Sequence, residues 1–391
     1  MPSPVRGISH NVFVLSLVSL CTDISSEMIY PLVPLFLTLV LGAPVMAVGA
    51  IEGLAEATAN LLKLLSGRVT DRRGQHRAWI FAGYGLSALA KPLLALAGGV
   101  PLVLVARLLD RIGKGTRGTP RDALIAASSR PEDRGRAFGF HRSMDTAGAV
   151  AGPLAGLALL AWSGQNFRLV FLLALVPAAL GVGLIGRVRE PGTARSQGGS
   201  VPSGFAYRAA PQSYRVFLWI GMLFALGNSS DAFLILRAHG LGLATGAAVL
   251  AYALYNLVYA MAGWPAGIVS DRIGRHSLLV AGFLIFSLVY GGMGLAAGDA
   301  LVWPLFALYG LYMALTDGIA KAYIADLVPA EQRGGALGLY AATTGGMALI
   351  ASLLAGLLWD HLAPSAPFYL GAVTSLAAAG CLVLLRPQPT A

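Results

Sequence analysis

Charge is scarce in this sequence: Asp, Glu, Lys and Arg make up 12% of the 391 residues, about half of the roughly 25% typical of a soluble domain. With 56% apolar residues and a mean hydropathy of +0.70, the chain has too little polar surface to face water, and its solvent is lipid. Cysteine is scarcer still. Cys21 and Cys381 lie far apart inside apolar runs, which excludes a disulfide framework and a CxxC metal site and leaves both as packing residues. Neither HExxH nor GxSxG occurs, so zincin and hydrolase readings lack their motif. GKGTRG at 113–118 is not a phosphate loop, because Leu108 stands where the motif needs its first Gly. His141, Met144 and Asp145 share one helix, and three such residues rarely complete a metal site. The net charge of +10 is spread between apolar blocks, whereas a nucleic-acid protein gathers it on a folded basic face. Extended polar stretches are also lacking, so the short connections hide no soluble catalytic domain. The expectation is a chain that is not an enzyme and uses no cofactor, metal or nucleic acid.

Long apolar runs are what is present. A span needs roughly 20 apolar residues, and twelve windows qualify, near 13–40, 44–66, 78–98, 100–124, 137–161, 167–186, 214–238, 243–266, 278–298, 302–324, 335–359 and 364–385. The first begins at Asn11, carries Asp23 and Glu27 and runs well past the length of a signal-peptide core, so it reads as a retained span. Asn228-Ser229-Ser230 fits a glycosylation acceptor only formally, since it lies within a span. One Gly/Ser/Pro-rich basic segment separates six windows from six. The expected fold is therefore all-α: a polytopic membrane protein of 12 transmembrane helices in two six-helix pseudo-symmetric halves, residues 1–187 and 214–391, joined by a cytoplasmic linker at 188–213.

Positive charge is retained in the cytoplasm. Seventeen arginines sit at the N-terminus, the even-numbered connections, the linker and the tail, against Arg168 and Arg237 on the other side. Both termini are thus expected in the cytoplasm, and the protein in the cell (inner) membrane. The halves also repeat each other. GRVTDRRGQH at 67–76 returns as GIVSDRIGRH at 267–276, DRGRAFGF at 133–140 as EQRGGALGL at 331–339, and SSE at 25–27 as SSD at 229–231. A parallel six-helix repeat is how one class of secondary transporters is built, with the substrate site near midplane between the halves.

The two loop copies resemble the loop motif of the major facilitator superfamily, between helices 2 and 3 and helices 8 and 9. Arg107 with Asp110 and Gly113 is similar to that superfamily's helix-4 arginine motif, with Arg111 where many members have Gly. Gly139, Gly148, Gly152-Pro153 and Gly156 resemble the helix-5 signature of its proton antiporters, lacking only a final Gly, since Leu157 follows. The resemblance covers the whole chain. It implies a gating role for Asp71 and Arg72 and for their copies Asp271 and Arg272, the alternative being a permanent surface salt bridge. The glycines of span 5 recur at spacings of about four and read as a strip for close helix packing, with Pro153 adding a kink.

Ionisable residues within spans are costly and usually face a cavity or a partner. Arg107, Asp110, Arg111, Lys114, Arg117 and Arg121 lie on one face of span 4, within an arc of about 120° at 100° per residue. Span 1 answers with Asp23, Ser26, Glu27 and Tyr30 on one face, span 2 with Glu52 and Glu56, and span 5 with His141 and Asp145. These groups can neutralise the stripe, accept protons, bind a cationic solute, or form a static ion-pair network. The second half holds fewer, chiefly Asp231, Arg237, Asp317, Lys321 and Asp326, which places proton coupling and polar recognition in the first half. The expectation is alternating access by rocking of the halves. The coupling is proton antiport (efflux), with Asp23, Glu27 or Asp231 carrying the proton and Tyr30, Glu52, Glu56, Arg107, Asp110, Arg111, Lys114, His141 and Asp145 as substrate-binding candidates. Its partners are a small-molecule substrate, protons and the lipid bilayer. A proton-coupled importer of an anionic metabolite or metal chelate is the alternative, and a non-transporting receptor or sensor is the alternative of another class. Substrate identity and oligomeric state are not readable from the residues.

Overall fold

Lipid offers the backbone no hydrogen-bond partners, so a chain of this composition must satisfy its own N–H and C=O groups within helices. The computed structural model describes residues 8–73, 76–130, 133–190, 207, 210–329 and 332–386. The side chains of 64–65 and 67–73 lie outside the described part, as does most of the linker expected at 188–213. Twelve helical segments carry the described residues, and no strand occurs among them. They are α1 (His10–Val40), α2 (Val45–Arg73), α3 (His76–Ala95), α4 (Val100–Ala127), α5 (Arg134–Trp162) and α6 (Phe167–Arg187). The second set is α7 (Gln212–Gly240), α8 (Thr245–Ile273), α9 (Arg275–Leu295), α10 (Val302–Leu327), α11 (Arg333–His361) and α12 (Ala366–Leu385).

Eleven of these are long and apolar enough to cross a membrane. The remaining one, α4, has the length, 28 residues, but carries the charged stripe that lowers its hydropathy. Large apolar side chains such as Leu89, Trp162, Trp264 and Leu384 stand exposed on the helices, an arrangement that suits a lipid environment and not water.

Local chemistry sets the helix ends. Ser9 caps α1 by accepting from the Val12 N–H. Ser16 and Thr22 donate back to the carbonyls of Val12 and Val18 at 2.7 and 2.9 Å, so their hydroxyls are satisfied inside the helix. Pro31 lacks an N–H, and the regular α-helix breaks at Tyr30–Pro31 before resuming at Leu32. The repeat of α1, α7, breaks at the matching place: its first part ends at Gly227 and its second starts at Ala232. The SSD segment lies in the second interruption, and SSE ends three residues before Tyr30 at the first. Between α8 and α9 the chain turns at Gly274, whose φ of +95° disfavours any side chain.

The chain forms two compact units. One contains the described residues of 1–42 and 54–199, the other those of 43–53 and 200–391. The first turns of α2 thus pack within the second unit, where Gly49 and Gly53 abut Ser352 and Leu349 of α11. The two packing schemes repeat. In the first unit α1 packs on α5 and α6, and α3 on α4 and α6; in the second α7 packs on α11 and α12, and α9 on α10 and α12. Gly115 of α4 approaches the Ala59 carbonyl of α2, and Gly310 of α10 approaches the Tyr255 carbonyl of α8. Duplicated sequence has become duplicated packing.

Candidate functional site

The charged stripe of α4 is placed by helical periodicity, and its partners come from three neighbouring helices. Arg107, Asp110, Arg111 and Arg117 are all under 9% exposed, whereas Lys114 is exposed and Arg121 half-buried. Asp110 is the stripe's one acid. Its Oδ1 takes the fully buried Lys91 ammonium of α3 at 2.9 Å, and its Oδ2 lies 3.9 Å from Arg107. Lys91 also donates to Ser26 Oγ of α1 at 3.3 Å. The Tyr30 ring receives both Arg107 and Arg111, at 5.4 and 5.8 Å from its centroid, within cation–π range. Further along, Arg117 lies 4.4 Å over the Tyr84 ring and donates to Ser87 Oγ of α3, and Arg121 donates to Ser19 Oγ of α1 at 3.0 Å.

The acids of α1 lie against α5. A Cβ built at Gly148 would stand 2.8 Å from the Asp23 Cβ, and one at Gly152 would stand 2.7 Å from the Glu27 Cβ. At Gly156 the same addition meets the Met28 carbonyl. The small-residue strip therefore exists where the two carboxylates pass, and α5 runs helical through Pro153. Asp23 interacts electrostatically with Asp145, Lys114, Arg117 and Glu27. Glu56 of α2 interacts with Arg111, Lys114, Lys63 and Arg107, and accepts from Asn60 at 3.4 Å. On α5, His141 Nε2 stands 3.6 Å from Asp145 Oδ1. The first unit thus assembles Asp23, Glu27, Tyr30, Glu56, Arg107, Asp110, Arg111, Lys114, His141 and Asp145 around α1, α4 and α5.

Glu52 is buried at 4% exposure and belongs to the 43–53 segment of the second unit. Asp231 sits in the break of α7 and accepts from Tyr309 at 2.6 Å and Tyr255 at 3.2 Å. Around it Tyr252 meets Tyr255 edge-on, Tyr290 stacks on Phe286, and Tyr312 meets Phe286 edge-on and Phe224 at a tilt. Asp317 accepts from Tyr259 at 2.9 Å and pairs with Lys321. In the second loop copy, Asp271 pairs with Arg275 at 3.8 Å, and Arg275 also pairs with Asp326. Arg272 is exposed. The side chains of Asp71 and Arg72 lie outside the described residues.

Lys91 is the site residue that sequence reasoning passed over, although a lysine in the middle of an apolar window is a visible signal. Tyr309 carried none, because a tyrosine in a span is equally a packing residue.

A family model for the Major Facilitator Superfamily matches residues 15–249 and 217–391. The chain belongs to this superfamily. Facilitators of this kind are secondary active transporters, so the protein is a multi-pass membrane transporter and not an enzyme. An uncharacterized MFS-type transporter of Methanocaldococcus jannaschii is 34% identical over 377 residues, covering 95% of this chain and 94% of its own length. Multidrug resistance protein MdtH of Escherichia coli is 26% identical over 326 residues, 79% of this chain and 77% of that protein. Among solved structures, the nucleoside transporter NupG superposes with a TM-score of 0.80 at 14% identity, covering 96% of this chain and 99% of its own. A peptide transporter of the POT family also reaches 0.80 at 16% identity, covering 99% and 96%. These likenesses are of fold: twelve helices in two halves.

Proposed function

We propose that this facilitator is a proton-coupled antiporter that exports a small solute across the cell membrane, with both termini in the cytoplasm. The observation that carries the reading is the seating of Asp23 and Glu27 on the α5 glycine strip, at Gly148 and Gly152. A carboxylate wedged between two helices, beside the cations Lys114 and Arg117 and the acid Asp145, changes its proton affinity whenever the helices shift. That is the requirement for coupling. Glu27 is the principal carrier and Asp23 its partner, with Asp231 the corresponding acid of the second unit. Tyr30, Glu56, Arg107 and Arg111 supply the polar contacts to the solute. The name of the MdtH relatives, multidrug resistance protein, favours export. The loop copies act as latches, Asp71 and Arg72 in one and Asp271 with Arg272 and Arg275 in the other.

Proton-coupled import of an anionic metabolite is the second reading, favoured by the two guanidiniums gathered on Tyr30. Proteoliposomes carrying an imposed pH gradient separate the two by the direction of solute movement. In the same assay Glu27→Gln, which keeps shape but cannot exchange a proton, is expected to lose gradient-driven movement while solute-for-solute exchange persists. A Glu27→Gln protein that answers the gradient as wild type does would remove Glu27 as the carrier.

A further inference from the structure

The seam between α1 and α5 holds a titratable group at every turn. Down α5 from its N-terminal end come His141 and Asp145, then Gly148 and Gly152, and at the two glycines the side chains of α1 take over, Asp23 against the first and Glu27 against the second. From 141 to 152 the helix rises about 16 Å, roughly half of the hydrocarbon thickness. His141 is 3% exposed, yet among the described residues neither of its ring nitrogens, nor Asp145 Oδ1, makes a hydrogen bond. Such buried polar atoms weaken a fold and persist where they are used. A neutral imidazole accepts a proton on one nitrogen and releases one from the other. The charged groups facing His141 are Arg121 and Asp122 from α4 and Asp145 and Arg142 from α5. Asp145 in turn faces Asp23 across the seam, with Lys114 and Arg117 of α4 beside it.

We propose that His141 and Asp145 form a relay that passes the proton between the Glu27–Asp23 pair and the N-terminal end of α5. The relay rests on the antiport reading and names the route for it. In each hop one O–H or N–H bond breaks on the donor as one forms on the acceptor. The proton passes from Glu27 to Asp23, from Asp23 to Asp145, and from Asp145 to His141 Nε2, while the proton on Nδ1 leaves to water. The starting tautomer returns when Nδ1 takes a proton from water and Nε2 gives one up to water, so the net result is one proton moved from Glu27 to water with Asp23, Asp145 and His141 unchanged. The reverse order loads Glu27.

The test needs no known solute. Full-length protein in liposomes on a solid-supported membrane is given a pH jump, and the charge displaced as the carboxylates take up protons is recorded. Wild type is expected to give a transient current that Glu27→Gln abolishes. His141→Gln and Asp145→Asn are expected to keep its amplitude and slow its decay about tenfold or more, and in His141→Ala added imidazole is expected to restore the fast decay, which no structural role explains. If the histidine variants do not fold, Asp145→Asn carries the same expectation. A wild-type decay rate in folded His141→Gln or Asp145→Asn overturns the relay and leaves the antiport reading standing. A wild-type chain with no transient overturns both.

Discussion

Lys91 shows what it takes to hold a charge in an apolar helix. Its ammonium is fully buried, and Asp110 and Ser26 take it at 2.9 and 3.3 Å while Arg107 shares Asp110 from the other side. Removing one partner of a buried pair leaves an uncompensated charge and costs about 3–5 kcal/mol. Lys91→Met is therefore expected to lower the thermal midpoint of the detergent-purified protein sharply. Asp110→Asn is expected to be at least as harmful, because it leaves both Lys91 and Arg107 without a full counter-charge. Lys91→Arg is expected to retain most of the stability. A Lys91→Met protein that melts at the wild-type midpoint would show that the pair contributes nothing to the fold. At Asp231 the hydroxyls of Tyr255 and Tyr309 donate to the carboxylate.

At the scale of elements, close approach separates one glycine from another. Gly148, Gly152 and Gly156 leave no room for a methyl, because α1 passes within 3 Å of where it would stand, while at Gly139 on the same helix nothing lies within 4 Å. Gly152→Leu is expected to force α1 and α5 apart at Glu27 and to abolish transport or folding. Gly139→Ala is expected to be silent in transport, with a gain of about 0.5–1 kcal/mol from helix propensity. Thermal unfolding and flux on both variants check the contrast, and equal tolerance at the two positions would dismiss the seam as a tight contact. The paired breaks of α1 at Tyr30–Pro31 and of α7 at Asn228–Asp231 belong to this scale too. Each puts an ionisable residue beside an interrupted backbone, as transporter sites commonly do. In α1 the proline is a readable cause; α7 has no proline there, and its break was not legible.

For the whole molecule, the duplication seen in three sequence segments reappears as the same helix pairings in both units. The proposed sidedness, with both termini in the cytoplasm, rests on the arginine distribution. In a chain freed of Cys21 and Cys381, Arg195→Cys is expected to resist an impermeant thiol reagent in intact cells, and Gly298→Cys, between α9 and α10, is expected to react. Labelling at 195 alone would invert the topology and with it the direction of the proposed relay. Residues 43–53 qualify the simple division into halves, since the start of α2 packs with α11 and so joins the second unit.

Composition and short-range periodicity by themselves determined that the solvent is lipid, that the chain is all-α with twelve apolar windows, and that α4 carries a charged face, while the facilitator family came from the resemblance of its short motifs. Each of these depends on residues a few positions apart or on an average over the chain. The choice of partners was decided only in three dimensions. Lys91 reaches Asp110 because α3 and α4 meet in one register, Asp23 and Glu27 turn toward α5 because its glycines leave the space, and Asp231 meets a tyrosine 78 positions away. Helix rotation and register are set by how many side chains pack at once, and periodicity along one helix carries no record of the neighbour it will face.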